Sequence, residues 1–319
     1  MKQSKRLIQL VWFLLLSIFT LPAFTQSNFP SQPLTMLIGF NPGGSTDTQG
    51  QVLAKVLSEQ LGQPVNIIHH AGAGGASAAA MLANSRDQGY TFQFGLSLPY
   101  TFAPLTTTSS YQLDSFRYVA GITLDQIALV TGPNTPFATW QEFIAYAKAN
   151  PGLVYASQNI QDRFLIHRIM RQEGIQLRIM PTTGGAGMAP LILSGDADIA
   201  FSGGTHSAYT DSGLMRVLAS LAKDRLVYYP EVPSLIELGY DVSAHVVRVI
   251  AVPANTPDEQ VQILSDALLA VTKDQRFIDV TEQTIKMPVI FMNEAELKTL
   301  FAQQVIEYQA LIAESEQIK

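Results

Sequence analysis

The 319-residue sequence contains no cysteine. Disulfide-stapled scaffolds, thiolate metal sites and lipoproteins attached through a cysteine are therefore excluded. Charged residues are also scarce, at 14% of the chain, and the formal net charge is −6. Nucleic-acid-binding proteins carry basic surfaces that attract phosphates, which an acidic chain does not offer. We therefore expect no nucleic-acid partner.

Long apolar runs are missing as well, with one exception near the amino terminus. Leu7–Leu21 is apolar, follows three basic residues and precedes a small residue at Ala23. This order predicts a secretory signal peptide at residues 1–25 rather than a membrane-spanning helix, because the apolar core is short. We therefore expect export to the periplasm, with an uncleaved amino-terminal anchor as the alternative.

Removal of that segment would take away three positive charges and no negative ones, so the net charge would fall from −6 to −9. Such a chain has no long-range attraction for small anions. A carboxylate site must then be built locally, from backbone N–H groups, helix ends or one or two cations. The remaining chain of roughly 295 residues is long enough for two domains of ordinary size.

The most informative stretch, Phe40–Asp47, lies between two patterns of different period. Before it, the apolar run 34–40 is typical of a buried strand. After it, apolar residues from Val52 to Leu61 recur at spacings of three and four, which predicts one face of a helix. The stretch is therefore predicted to be a glycine turn between a strand and a helix.

Glycine and short polar residues give this turn its expected chemistry. Gly43 and Gly44 permit positive φ and close backbone approach to a ligand. Ser45 or Thr46 can cap the helix, and Asp47 suits the positive end of its dipole. The free N–H groups of such a helix start can bind an anion. An ordinary capped turn is the simpler alternative, because the pattern is weak alone.

Two further glycine-rich turns follow predicted strands. Ala71–Ser77 precedes an alanine-rich helix, and Pro181–Gly187 precedes another apolar helix. Strands that alternate with helices predict α/β sheets, in which ligands bind beyond the carboxyl ends of the strands. We therefore expect these turns to line a cleft.

Polar segments follow two more predicted strands in the second half of the chain. Ser157–Arg163 comes after the strand at 153–156, and Ser202–Gly204 comes after the strand at 198–201. The second half thus repeats the design of the first, and two lobes with such turns would make a cleft between them.

The chain is predicted to cross between two lobes more than once. A second unit begins near Ile127, and the apolar stretch 246–252 can return the chain to the first unit. We predict a discontinuous lobe 1, formed by 26–126 and 246–319, and a lobe 2 formed by 127–245. A short helix is also predicted to end at Gly239.

Nine short fragments are distributed along the chain. They are Phe40–Asp47, Leu61–Val65, Gly72–Gly75, Gly89–Thr91, Ala145–Gly152, Gly184–Ala186, Gly195–Asp198, Pro230–Pro233 and Leu238–Tyr240. Each fragment is weak alone, but together they span essentially the whole mature chain. In this order they resemble the periplasmic substrate-binding proteins of tripartite tricarboxylate transporters, also called the Bug family.

The resemblance implies an α/β, two-lobed Venus-flytrap fold of type II, with a mixed sheet flanked by helices in each lobe. It implies a protein without catalytic activity or cofactor that closes over a small organic acid, a di- or tricarboxylate or an aromatic acid. It also implies delivery of that acid to the membrane subunits of a transporter, and we expect the binding protein to be a monomer.

Carried across by position, the resemblance also implies the ligand-binding residues. In the first lobe these are Phe40, Asn41, Gly43, Gly44, Ser45, Thr46, Asp47, Gly74, Gly75, Ala76 and Ser97. In the second lobe they are Ser157, Gln158, Asn159, Gln161, Arg163, Thr182, Thr183, Gly184, Gly185, Ser202 and Gly203.

The sequence departs from the family pattern at the expected pocket. Gln158–Arg163 replaces a small Gly/Ser loop, and Thr182 and Thr183 replace a tyrosine and a lysine. These changes prevent transfer of a ligand from any relative. Arg163 and Arg248 are the cations considered first for a distal carboxylate, because arginine binds carboxylates bidentately. A surface or lobe–lobe salt bridge is an equal alternative for each.

Other classes of function find less support in the sequence. A secreted hydrolase could use Ser97 or Ser202, but neither serine lies in a recognised nucleophile motif. The five histidines show no chelating spacing, so no metal site is expected. A ligand-sensing subunit of a signalling system is a third possibility, which sequence cannot distinguish from a transport protein.

Overall fold

The computed structural model describes residues 28–316, so the predicted signal peptide lies outside the described residues. Within 28–316, no helix combines the length and apolar character that crossing a membrane requires. The strands are β1 (Leu34–Ile38), β2 (Val65–His69), β3 (Thr91–Leu96), β4 (Phe116–Leu124), β5 (Ile127–Thr131), β6 (Val154–Ser157), β7 (Arg178–Pro181), β8 (Ile199–Gly203), β9 (Arg216–Ser220), β10 (Val247–Pro253) and β11 (Val289–Asn293).

The helices alternate with these strands through most of the chain. They are α1 (Ser45–Leu61), α2 (Ala76–Ala83), α3 (Leu98–Thr101), α4 (Ala103–Thr106), α5 (Trp140–Ala149), α6 (Ile160–Glu173), α7 (Gly185–Ser194), α8 (Ser207–Thr210), α9 (Asp258–Val271), α10 (Gln275–Ile278) and α11 (Glu294–Glu316). Short 3₁₀ turns at Ala73–Gly75 and Leu113–Ser115 and a π-helical turn at Asp279–Thr284 complete the set.

The strands form two mixed sheets, one in each lobe. The sheet of lobe 1 has the order β11-β4-β10-β3-β1-β2, and that of lobe 2 has the order β7-β6-β8-β5-β9. In lobe 1, β1 pairs in parallel with β2 and β3, while β10 is antiparallel to both β3 and β4. In lobe 2, β6 is parallel to β7 and β8, and β5 is antiparallel to β8 and β9. The predicted α/β fold with mixed sheets is therefore confirmed.

Alternation along the strands explains why both faces of the lobe 1 sheet are covered. Met36 and Ile38 of β1 pack into the same core cluster as Leu53 and Leu57 of α1. Leu37, which lies between them in sequence, packs into a second cluster that contains residues of α2 and α11. Because successive side chains of a strand point to opposite faces, one strand supplies both layers.

Several predicted helix ends are confirmed by their cap geometry. α1 ends at Gly62 and α6 at Gly174, both with left-handed φ, at 67° and 69°. α5 begins with the predicted capping box, in which Thr139 accepts the backbone N–H of Glu142. The helix predicted to end at Gly239 is wrong, because residues 235–239 form turns. The long strand β4 was not predicted.

Two segments carry the chain between the lobes. The first is the link from β4 to β5, and the second runs from β9 to β10. These two segments lie side by side and are joined by a hydrogen bond of 2.9 Å from the Asp125 backbone N–H to Val246 O.

Candidate ligand-binding site

The turn between β1 and α1 is built differently from the predicted cap. Gly44 is the N-cap residue with φ −87°, and no side chain caps the helix there. The prediction that Ser45 or Thr46 caps α1 is therefore wrong, since both lie inside its first turn. Gly43 does take a positive φ of 90°, whereas Gly44 does not.

Asp47 lies in the first turn of the same helix and is buried. Its Oδ2 accepts the Gly43 N–H at 2.8 Å, and its Oδ1 lies 2.7 Å from His69 Nε2 and 3.0 Å from Gln51 Nε2. Burial alone would raise the pKa of Asp47, but the hydrogen bonds from Gly43, Gln51 and His69 outweigh it and lower the pKa. Asp47 is therefore an ionised partner of the helix N-terminus.

The two glycine turns of the two lobes face each other. A Cβ atom on Gly44 would lie 3.4 Å from the backbone N of Ala186 and 3.9 Å from that of Gly185. Gly184, with φ 90°, packs on Phe40 so closely that a Cβ would lie 2.8 Å from the ring. The N-termini of α1 and α7 thus converge from opposite lobes.

Several backbone donors remain free where these helices converge. The amides of Gly44, Thr46, Gly185 and Ala186 have no acceptor among the described residues. The first amides of a helix have no partner within the helix, and they carry its positive dipole end. Two helix starts therefore direct uncharged donors and positive potential to one place.

A small cavity lies between these helix starts. Its volume of about 20 Å³ has room for about one water molecule in this closed conformation. None of the residues around it carries a charge. They are Phe40, Asn41, Gly44, Ser45, Thr46, Leu96, Gln158, Gly185, Phe201, Gly203 and Thr205.

Hydrogen bonds between the lobes surround the cavity. Asn41 Nδ2 donates to Thr183 Oγ1 at 2.8 Å, and the Ser45 N–H donates to Thr205 Oγ1 at 3.3 Å. The Ser45 hydroxyl donates to Gly203 O at 2.7 Å. A ligand larger than water therefore requires the lobes to separate, and these bonds would break when they do.

Arg248 lies directly behind Ser45 and is fully buried. Its Nε donates to Asp125 Oδ1 at 2.9 Å, and its two terminal nitrogens donate to Ser45 O, Ser45 Oγ, Gln49 Oε1 and Gly203 O at 2.8–3.1 Å. The guanidinium has five N–H groups, and each has an acceptor. Arg248 thus forms a buried salt bridge with Asp125 inside the predicted lobe 1 and hydrogen bonds to Gly203 O of lobe 2. It is neither the surface nor the lobe–lobe salt bridge that the sequence left open, and it has no free donor for a ligand.

Most residues of the polar segment after β6 hydrogen bond within the segment and do not line the cavity. Asn159 caps α6 by accepting the Asp162 N–H, and Asp162 accepts the N–H groups of Gln158 and Asn159 at 2.7 and 2.8 Å. Gln158 is the one residue of this segment on the cavity, where its Nε2 donates to Phe201 O. The half-buried Arg163 donates to Asn159 O and does not line the cavity.

The structure places eight of the predicted ligand-binding residues on the cavity and the others around it. The eight are Phe40, Asn41, Gly44, Ser45, Thr46, Gln158, Gly185 and Gly203. The others are Gly43, Asp47, Gly74, Gly75, Ala76, Ser97, Ser157, Asn159, Gln161, Arg163, Thr182, Thr183, Gly184 and Ser202. Some of these still form the lobe interface: a Cβ on Gly74 would lie 2.9 Å from that of Asn159.

Sequence reasoning missed three residues that line the cavity, Leu96, Phe201 and Thr205. Leu96 and Phe201 lie in predicted strands, where an apolar residue gives no sign that it faces a ligand. Thr205 could have been predicted from the sequence, because it follows the carboxyl end of β8, where ligands bind in α/β sheets.

The serines considered for a hydrolase are fully buried. Ser97 Oγ lies 3.4 Å from the Val247 N–H, and Ser202 Oγ lies 3.0 Å from His206 Nδ1. His206 Nε2 has no partner among residues 28–316, so no third group orients the ring as in a catalytic triad. Burial lowers the pKa of His206 to about 3. Within the same residues, no cluster of three or more His, Asp or Glu could hold a metal ion.

Comparison with known proteins shows the family to which this chain belongs. The sequence model described as the tripartite tricarboxylate transporter family receptor (TctC) matches residues 50–316. The "UPF0065 protein in gbd 5'region" of Cupriavidus necator is 30% identical over 304 residues, which cover 93% of this chain and 92% of the relative.

Solved structures share the fold at lower sequence identity. Periplasmic binding protein BugD has a TM-score of 0.83 at 22% identity and covers 90% of this chain and 99% of its own. MatC from Rhodopseudomonas palustris with bound malate has a TM-score of 0.80 at 20% identity, covering 89% and 100%. R. palustris Rpa4515 with adipate has a TM-score of 0.81 at 21% identity, covering 89% and 97%.

These matches confirm the resemblance seen in the sequence and the two-lobed periplasmic-binding-protein fold. They also exclude the hydrolase alternative, since proteins of this family and fold bind solutes without transforming them. The chain belongs to the tripartite tricarboxylate transporter receptor family, the Bug proteins, which are periplasmic solute-binding proteins.

Proposed function

We propose that this protein captures a small organic carboxylate between its lobes and delivers it to the membrane subunits of a tripartite tricarboxylate transporter. One observation carries the proposal: the N-termini of α1 and α7 meet at a cavity without charged side chains. Donors that come only from backbone amides and uncharged side chains suit an anion small enough to lie between two helix starts.

The energetics of such a site require several contacts. One helix dipole contributes about 0.3–1 kcal/mol at an exposed site and up to ~2 kcal/mol when partly buried. Micromolar binding needs about −8 kcal/mol. Two helix ends, the free amides and the apolar surfaces of Phe40, Leu96 and Phe201 together supply contacts of the required kinds. Arg248 does not line the cavity, but its hydrogen bonds to Ser45 O and Ser45 Oγ fix the position of Ser45.

Closure would occur about the two segments that connect the lobes. Asp125 and Val246 lie in these segments and are hydrogen bonded to each other. Rotation there would separate Ser45 from Gly203 and Thr205 without disrupting either sheet. The dicarboxylates malate and adipate, bound by two proteins of the same fold, support an organic acid as the ligand.

The experiment is a thermal-shift screen of the mature protein against mono-, di- and tricarboxylates, including aromatic acids, followed by calorimetry. We expect at least one acid to bind, its neutral amide to bind far more weakly, and mass spectrometry to recover the acid unchanged. Equal affinity for acid and amide, or no binding of any acid, would overturn the proposal.

Delivery to a transporter needs a separate test. Deletion of the protein should abolish cellular uptake of the acid identified in the screen, and a variant that no longer binds this acid should not restore uptake. Uptake that persists without the protein would favour the sensing alternative.

A further inference from the structure

Thr205 lies where the two helix N-termini come closest. It is 8% exposed and lines the cavity. Its Oγ1 accepts the Ser45 N–H of α1 from across the lobe interface. On the other side, a Cβ on Gly185 would lie only 1.8 Å from the same oxygen, so the hydroxyl also sits against the start of α7.

The hydrogen bonding of this hydroxyl is incomplete. A threonine hydroxyl can donate one hydrogen bond and accept two. Thr205 Oγ1 accepts from Ser45, but its own proton has no acceptor among the described residues. A buried donor without an acceptor is unfavourable. The nearest open space for that proton is the cavity.

Three of the free groups around this point are donors: the amides of Thr46 and Gly185 and the hydroxyl of Thr205. A ligand group placed here can pair with all three donors if it presents acceptors to them. A carboxylate satisfies this condition with both oxygens, whereas the NH₂ of an amide would meet other donors. Sites that leave a polar group unpaired discriminate strongly against the wrong ligand.

We propose that Thr205 is a specificity-determining residue, which donates its hydroxyl proton to a ligand carboxylate oxygen. This inference rests on the proposed function and names the group that selects a carboxylate over an amide.

The test compares Thr205→Val with Thr205→Ser in calorimetry with malate and adipate. Valine keeps the shape and removes the hydroxyl, while serine keeps the hydroxyl. We expect binding of the acids to weaken about 10- to 100-fold in Thr205→Val, as for loss of a hydrogen bond to a charged group, and to stay within about threefold in Thr205→Ser. The preference for an acid over its monoamide should shrink in Thr205→Val.

The outcomes separate this inference from the proposed function. If the wild type binds no organic acid, both fail. If the wild type binds an acid and Thr205→Val binds it equally or more tightly, only the role of Thr205 is overturned. Equal losses in the valine and serine variants would likewise overturn it, since the hydroxyl would not be the cause. Should Thr205→Val not fold, Thr205→Ala replaces it with the same expected loss.

Discussion

Arg248 and its acceptors Asp125 and Gln49 form a buried cluster on one side of Ser45, and the ligand cavity lies on the other side. The two regions differ in whether their hydrogen-bond donors are paired. Behind Ser45, a full positive charge is buried and every N–H group has an acceptor. On the other side of Ser45, no charged side chain within residues 28–316 lines the cavity, and several donors have no acceptor among those residues. One residue therefore separates a site in which every Arg248 donor is paired, here called the saturated site, from the cavity with free donors, here called the unsaturated site.

This difference follows from the cost of desolvation. A charged group buried without a partner is strongly destabilising, so Arg248 is tolerable only with Asp125 and its other acceptors in place. A neutral backbone amide without an acceptor at a helix start destabilises the fold less than an unpaired buried charge does, so it can remain unpaired until a ligand binds. The fold thus uses charge to hold the lobes and uncharged donors to bind.

The largest expected effect comes from breaking the saturated site. Arg248→Met should lower the free energy of unfolding by about 3–5 kcal/mol, because it leaves the buried Asp125 without its cation. Burial already raises the pKa of Asp125, and Arg248 opposes that rise. Urea denaturation measures the loss.

Two controls sharpen this prediction. Asp125→Asn combined with Arg248→Met should recover part of the lost stability, because no unpaired charge remains. Arg276→Met, at a half-exposed arginine paired with Glu59 and Asp274, should cost much less. A loss as large at Arg276 as at Arg248 would contradict the role assigned to burial.

The unsaturated site should respond in ligand affinity. A Cβ on Gly185 would lie 1.8 Å from Thr205 Oγ1 and 2.6 Å from Thr205 Cβ, so Gly185→Ala must displace one helix start or prevent full closure. We expect calorimetric affinity for the bound acid to fall at least about tenfold, which corresponds to about 1.4 kcal/mol.

Gly187→Ala is the matched control within the same helix. Its Cβ would lie 3.1 Å from the hydroxyl of the exposed Thr183, so it strains at most the hydrogen bond from Asn41, and affinity should fall much less than in Gly185→Ala. Similar losses in the two variants would indicate a general effect on α7 rather than obstruction of the site.

Much of the fold was predictable because local patterns and tertiary structure agree. The three- and four-residue spacing in α1, the glycines at 62 and 174 and the capping box at Thr139 each act within a few residues. β4 was missed because its sequence FRYVAGITL has no clean alternation of polar and apolar residues, as its burial against neighbours on both faces requires.

The site was only partly predictable for a different reason. Glycine turns at the carboxyl ends of strands indicate where a ligand lies, and eight predicted residues do line the cavity. Some partners lie across the lobe interface, and Ser45 and Thr205 are about 160 residues apart in sequence. No local pattern shows that Asp47 turns to Gly43 and His69, or that Arg248 lies behind the cavity.

The smallest expected effect concerns His206. This side chain is buried in its neutral form, whereas Arg248 is buried with its charge. Burial holds its pKa at about 3, below the ordinary value of 6.5. Between these values the unfolded chain binds a proton that the folded protein does not, so stability falls as the pH decreases from about 6.5 toward 3. The slope is at most about 1.4 kcal/mol per pH unit.

His206→Phe removes this titration while keeping a ring of similar shape beside Tyr229. The stability of the variant relative to wild type should therefore rise by about 1 kcal/mol per pH unit as the pH is lowered from 6 to 4, measured by urea denaturation at each pH. Parallel curves for the two proteins would mean that folded His206 accepts a proton in this range. The contrast with Arg248 would then be lost, since both side chains would carry charge inside the protein.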